Sequence, residues 1–203
     1  ETVLNFVRSN LKKTGTKEGC AEGGCGACTI VLGELKNNKI LYKSINSCIT
    51  FVPVLNGKQL ILIENLTSEN GKLHSVQNAM VDYHGSQCGF CTPGFVMSMF
   101  AMFKNNKSIN NELINDSLSG NLCRCTGYRP IIDAAKSLNN LSRYDHFDKD
   151  KFIILRLLKK ITKKNIEITS NNKKYFAPKT IKELKKILNK VKNAKLLSGG
   201  TDL

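Results

Sequence analysis
The 203-residue chain has no Trp, only 4 Pro, and 16 acidic residues against 31 Lys and Arg. It also lacks long apolar runs. The most apolar stretches, 95–103 and 152–158, fall far short of the ~20 residues that a membrane-spanning helix needs, which excludes insertion by a helix. No basic and apolar leader with a small-residue cleavage site opens the chain, so export is not indicated; residue 1 is Glu, and an incomplete N-terminus is expected. What is present is a hydrophobic fraction of 41%, too high for general disorder in a chain long enough for one or two compact domains.

The formal net charge of +15 is unevenly spread: residues 1–150 carry +3 and residues 151–203 carry +12. A basic tail of that density could grip phosphate backbones or an acidic membrane surface. Against this, 26 of the basic residues are Lys and only 5 are Arg, and stacking aromatics are scarce, so the groups that read bases are missing. The lysines are expected to face solvent on helices such as 181–192, and nucleic acid is not expected as a partner.

All eight cysteines fall into two sets of four: Cys20, Cys25, Cys28 and Cys48, then Cys88, Cys91, Cys123 and Cys125. A disulfide framework suits small secreted domains, and the Cys123-x-Cys125 spacing would close a strained loop. The first set reads C-x4-C-x2-C with one distant Cys, the spacing of plant-type ferredoxins that hold a 2Fe-2S cluster on four thiolates. Tetrahedral zinc on four thiolates is the alternative, but zinc sites favour paired C-x2-C knuckles. Gly19, Gly23, Gly24 and Gly26 interleave the first set and allow N–H groups to turn toward an anionic centre.

In the second set each Cys pair is followed by Thr and shortly by Pro, at Pro93 and Pro130. Proline at a helix start predicts helices over 95–103 and 131–141 whose N-termini face the thiols. Apolar spacing adds helices through Leu73, Val76, Met80 and Val81, and through Leu113, Ile114 and Leu118. Met97, Met99 and Met102 read as core, and His74, His84 and His146 as structural or surface residues, with His84 an occasional ligand at most. Strands are expected over 29–32, 39–45 and 59–64, with a turn at Asn37-Asn38 and a helix at 2–11.

Gly-Cys20-x4-Cys25-Gly-Ala-Cys28, Asn46-Ser-Cys48, Gln87-Cys88-Gly-Phe-Cys91-Thr-Pro-Gly and Asn121-Leu-Cys-Arg-Cys125-Thr-Gly-Tyr-Arg-Pro together resemble the iron–sulfur part of the molybdenum hydroxylases, the family that includes xanthine dehydrogenase. The resemblance runs from residue 1 to about 143. It implies an α+β chain: a β-grasp ferredoxin-like domain over 1–71 without its N-terminal hairpin, and a four-helix 2Fe-2S domain over 72–143. A linker over 144–172 and the truncated opening of an α/β FAD-binding domain over 173–203 would follow. It further implies that Gln87 touches molybdopterin carried by a separate large subunit. Leu196, Leu197, Ser198, Gly199, Gly200, Thr201, Asp202 and Leu203 would be the first FAD segment, a strand ending in a Gly-Gly-Thr-Asp turn.

Clusters and flavin start on one chain most resemble the small subunit of the bacterial xanthine dehydrogenases. The flavin domain stops after its first strand, so the chain is expected to be a fragment. The implied function is an electron relay from molybdopterin through two 2Fe-2S clusters to FAD and NAD in xanthine or hypoxanthine oxidation. Aldehydes or other N-heterocycles are alternative substrates, and a zinc-binding nucleic-acid module is a distant alternative. No residue of this chain is expected to be catalytic. Reduced thiolates and the lack of an export signal point to the cytoplasm. Two clusters of charge about −2 each would turn the +3 of residues 1–150 slightly negative, and the Lys-rich end is expected partly to face them.

Overall fold
A computed structural model of the chain describes residues 1–161, 165–171 and 173–199. The protein is a mixed α/β chain with two small sheets. It opens with a short helix α1 (Val3–Asn5), capped by the Thr2 hydroxyl, which widens into a π-turn over Phe6–Asn10 closed by Leu11 N–H donating to Phe6 O. Strands β1 (Thr29–Lys36) and β2 (Lys39–Asn46) form the hairpin expected from Asn37-Asn38, both of which take left-handed φ as a two-residue turn of this hand demands. β3 (Lys58–Ile61) pairs on the other side of β1, giving the antiparallel order β2-β1-β3. The predicted strand over 59–64 stops early because Asn65 Oδ1 accepts from Leu62 N–H at 2.8 Å and turns 63–65 into a 3-10 helix.

β1 is covered on both faces, which is why residues 29–33 are all buried. Ile30 and Leu32 pack with Val3, Val7 and Leu62, whereas Val31 points the other way into the helical core. That core surrounds α3 (Thr92–Asn105), whose residues 94–103 are buried without interruption. A helix that is apolar all round must be central. Around it lie α2 (Ser75–Asp82), α4 (Asn111–Leu118), α5 (Arg129–Ser137) and the sheet. Met97, Met99 and Met102 fill this core as expected. In α2 the buried face is Val76, Ala79 and Met80; Leu73 and Val81, expected to join it, are exposed. The helix predicted over 131–141 begins at Arg129, ends at Ser137 and finishes as a 3-10 turn to Asn140.

Sheet and helices form one body. Asn105, at the end of α3, pairs its side-chain amide with the backbone of Tyr42 in β2, and the Tyr42 ring meets Phe100 edge-on at 5.6 Å.

The stretch 144–172, expected to be a linker, contains α6 (His146–Lys149), α7 (Lys151–Ile161) and β4 (Ile166–Ser170). α7 lies against all three strands of the first sheet and buries Leu158, so part of the Lys-rich end does face the ferredoxin-like portion. α6 is anchored by charge. Asp145 caps it and bonds to His74 Nε2 at 2.8 Å and to Lys104 Nζ at 2.9 Å; Lys104 also meets Asp148 at 2.6 Å. β4 pairs with β5 (Lys173–Ala177), and α8 (Ile181–Lys190), capped by Thr180, follows. Leu196 and Leu197, expected in a strand, are exposed coil. No strand among the described residues pairs with them, and an unpaired strand has nothing to satisfy its backbone. Among the described residues no helix is long and apolar enough to cross a membrane.

Candidate metal centres
Cys28 directly precedes β1 and Cys48 follows β2. The register Thr29↔Asn46 therefore brings them together at one end of the hairpin, with their sulfurs 3.2 Å apart. Both are buried, under Leu4 and Ile49. Ser47 holds the junction by donating its hydroxyl to Cys28 O at 2.7 Å. Cys20 and Cys25 sit across the preceding Gly-rich loop, where Cys20 N–H points at Cys25 Sγ (3.3 Å) and Gly24 N–H at Cys20 Sγ (3.2 Å). Asn46 pins this loop by donating to Gly23 O at 2.7 Å. Backbone N–H groups, the Glu22 amide foremost, lower the Cys20 thiol to about 7, whereas burial raises Cys48 to about 12.

The second set lies between two helix starts. Cys91 is the N-cap of α3, and Cys125 stands three residues before Tyr128, the left-handed N-cap of α5. Pro93 and Pro130 lie in the first turns, as expected. Cys91 is in contact with Cys123, and Cys88 with Cys125. Cys123 receives Thr126 Oγ1 at 3.1 Å and Thr126 N–H at 3.5 Å, and its own N–H donates to Tyr128 Oη at 3.1 Å. Burial tends to raise the Cys123 thiol, yet the Thr126 hydrogen bonds outweigh it and the net shift is downward; burial raises Cys91 to about 12.

All eight cysteines are free thiols. Among the described residues no three His, Cys, Asp or Glu side chains converge as a single metal ion would require. The sulfurs meet two by two, which suits a 2Fe-2S cluster, where each iron takes two thiolates. N–H groups directed at sulfur suit its negative charge. The donor sets thus fit two such clusters.

Cys88 and Cys125 are exposed, in contrast to Cys28 and Cys48. Gln87 is exposed beside Cys88, in a surface that also carries Phe90, Leu122 and Tyr128. His84 is exposed in a left-handed conformation at the end of α2, whereas His74, expected to be merely structural, is the buried partner of Asp145. Of the expected FAD segment, residues 196–199 are exposed, and Gly200, Thr201, Asp202 and Leu203 lie outside the described residues. Sequence reasoning gave no role to Ser47, Thr126 or Tyr128; short polar residues one to three positions from a ligand are the signal that could have found them.

Comparison with known proteins agrees with this geometry. Residues 62–136 match the family model of the 2Fe-2S binding domain, and the chain belongs to that family. More particularly, it is a relative of the xanthine dehydrogenases and aldehyde oxidases, oxidoreductases of the molybdenum hydroxylase type. It is 48% identical over 141 residues to xanthine dehydrogenase of Blastobotrys adeninivorans and 45% identical over 137 residues to aldehyde oxidase 1 of Oryctolagus cuniculus. These alignments cover 68% and 66% of this chain and 10% of each relative, so the chain spans about a tenth of the curated relatives it matches. Among solved structures, quinoline 2-oxidoreductase from Pseudomonas putida 86 superposes with a TM-score of 0.59 at 29% identity, covering 78% of this chain and 84% of that one. Aldehyde oxidoreductase from Desulfovibrio gigas gives 0.59 at 34% identity, covering 68% of this chain and 15% of that one.

Proposed function
We propose that the chain is the electron-transfer part of a molybdenum hydroxylase, holding one 2Fe-2S cluster on Cys20, Cys25, Cys28 and Cys48 and a second on Cys88, Cys91, Cys123 and Cys125. The observation that carries this reading is the arrangement of eight thiols as four sulfur pairs in two sets. Each cluster, when bound, supplies a site that takes up and gives back one electron at a time. The chain's residues do the rest. The hairpin register places Cys28 against Cys48, amide N–H groups offset negative charge at sulfur, and Leu4 and Ile49 exclude water from the first site.

The second set faces the partner in this reading. Cys88, Cys125 and Gln87 are exposed in a surface with Phe90, Leu122 and Tyr128, which suits docking of a chain or domain that carries molybdopterin, with Gln87 as its contact. Segment 196–203 is the opening of an FAD-binding domain, FAD and then NAD are the onward acceptors, and the setting is the cytoplasm. Xanthine or hypoxanthine is the substrate of the assembled enzyme in the first reading. Near-equal identity to an aldehyde oxidase supports a second, in which the same relay serves aldehydes or N-heterocycles. Iron, acid-labile sulfide and the visible spectrum of anaerobically purified chain test the core claim. About four irons and four sulfides per chain with red-brown absorption are expected, and colourless protein containing zinc would overturn it.

A further inference from the structure
The two cysteine sets belong to different parts of the fold, and where those parts meet no side chain separates their backbones. Gly26 follows Cys25 with φ +71°, and a Cβ there would lie 2.2 Å from Gly120 O. From the other side, a Cβ on Gly94 of α3 would lie 2.2 Å from Gly26 O. Three backbone segments, at 25–26, 94 and 120–122, therefore touch directly. Within this contact Leu122 N–H donates to Cys25 O at 2.9 Å. One amide thus links a ligand-bearing residue of the first set to the neighbour of Cys123 in the second.

Asn121 organises the contact. Its side chain is buried, Nδ2 donates to Gly26 O at 3.0 Å and to Thr29 Oγ1 at 3.2 Å, and Oδ1 accepts from the buried Ser98 hydroxyl at 2.6 Å. Both amide hydrogens and the oxygen are used. Gly26 O also receives Thr29 N–H at 3.1 Å and Thr29 Oγ1 at 2.7 Å, so it is held by three donors. A group present only to fill space would need none of these bonds. A buried amide with every partner in place fixes orientation as well as distance, because tilting either segment leaves a polar group unpaired.

We propose that Asn121 is a positioning residue: by clamping Gly26 to α3 and to the 120–122 segment, it sets the separation and alignment of the two cysteine sets and so the electronic coupling between the centres they hold. The inference rests on the two-cluster reading above. Electron transfer weakens steeply with separation and is stronger through a hydrogen-bonded backbone than across a gap, so a clamp at this point governs the exchange without touching either site's ligands.

The test uses the full chain, reconstituted anaerobically with iron and sulfide, as wild type, Asn121→Asp, Asn121→Ala and Ser98→Ala. Asn121→Asp keeps the size and the acceptor for Ser98 but turns an oxygen toward Gly26 O. Iron and sulfide content are expected to stay at the wild-type level. In Asn121→Asp the Leu122 amide should exchange with solvent about tenfold faster. The magnetic splitting that the two reduced centres impose on each other in the EPR spectrum should shrink, and Ser98→Ala should show the same change in smaller degree. Unchanged splitting and unchanged Leu122 exchange in Asn121→Asp at full iron content would overturn the proposal. If Asn121 variants fail to take up iron, Ser98→Ala decides in the same way, since it leaves all eight thiols and Asn121 in place. Wild-type chain that takes up no iron would instead overturn the two-cluster reading.

Discussion

Replacing Asp145 by Asn isolates the charge that ties α6 to the helical core. In the native chain Lys104 Nζ lies 2.9 Å from both Asp145 oxygens and 2.6 Å from Asp148, with its side chain only 4% exposed. His74 Nδ1 accepts from Val76 N–H, so the ring proton sits on Nε2 and is donated to Asp145. Burial would raise the Asp145 carboxyl, but the hydrogen bonds from His74 and Lys104 and their charge lower it from 3.8 to about 2. At 1.36 kcal/mol per unit, that depression is worth roughly 2 kcal/mol at neutral pH. Asn still caps α6, since Asn and Asp are equivalent N-caps. It removes the charge opposite buried Lys104, however, and the expected loss is about 2 to 4 kcal/mol.

The sign of the pH dependence follows. A carboxyl with a depressed folded pKa contributes fully above the unfolded value of 3.8 and loses that contribution as pH falls toward about 2. Urea unfolding of wild type and Asp145→Asn, followed by ellipticity between pH 7 and pH 2, should show a gap that closes within that window. A gap below ~0.5 kcal/mol at pH 7, or one undiminished at pH 2, would refute the reasoning.

Cys48→Ser should leave about half the wild-type iron, since it opens only the first site; total loss on metal analysis would mean that the two sites do not load independently. Phe100→Ala removes a fully buried ring packed on Tyr42, His74 and Phe147 and should cost about 3 to 5 kcal/mol in denaturant unfolding, with a cost below ~1 kcal/mol contradicting its central placement. Shortening the chain to residues 1–161 should change the stability of the remainder by less than ~0.5 kcal/mol, because no described residue from 165 onward is buried. A larger drop in its melting transition would show that the last segment braces the first.

Much of the site was legible because its signals are local. Cysteine spacing, Pro93 and Pro130 at helix starts and the Asn37-Asn38 turn each fit within a few residues, and the Cys28–Cys48 meeting follows from the hairpin between them. The Asp145 network joins positions 74, 104 and 145, none of which is distinctive where it stands, so 144–172 looked like a linker. Val81 and Leu73 fit an apolar period but lie on the outer side of α2, since period alone does not say how wide the buried face is. Asn121 stood within a motif, yet its partners Ser98, Gly26 and Thr29 come from three other segments and only the folded chain assembles them. The strand expected near 196 failed because apolar character was read without asking which neighbour would bond to it.

Because Cys28 and Cys48 flank opposite ends of one ladder, metal capture at the first site and strand alignment are a single event. Slipping β1 against β2 by one residue would send Val31 to the wrong face and carry one sulfur away from the other. A misaligned hairpin therefore cannot close around iron, and cofactor insertion acts as a quality check on folding.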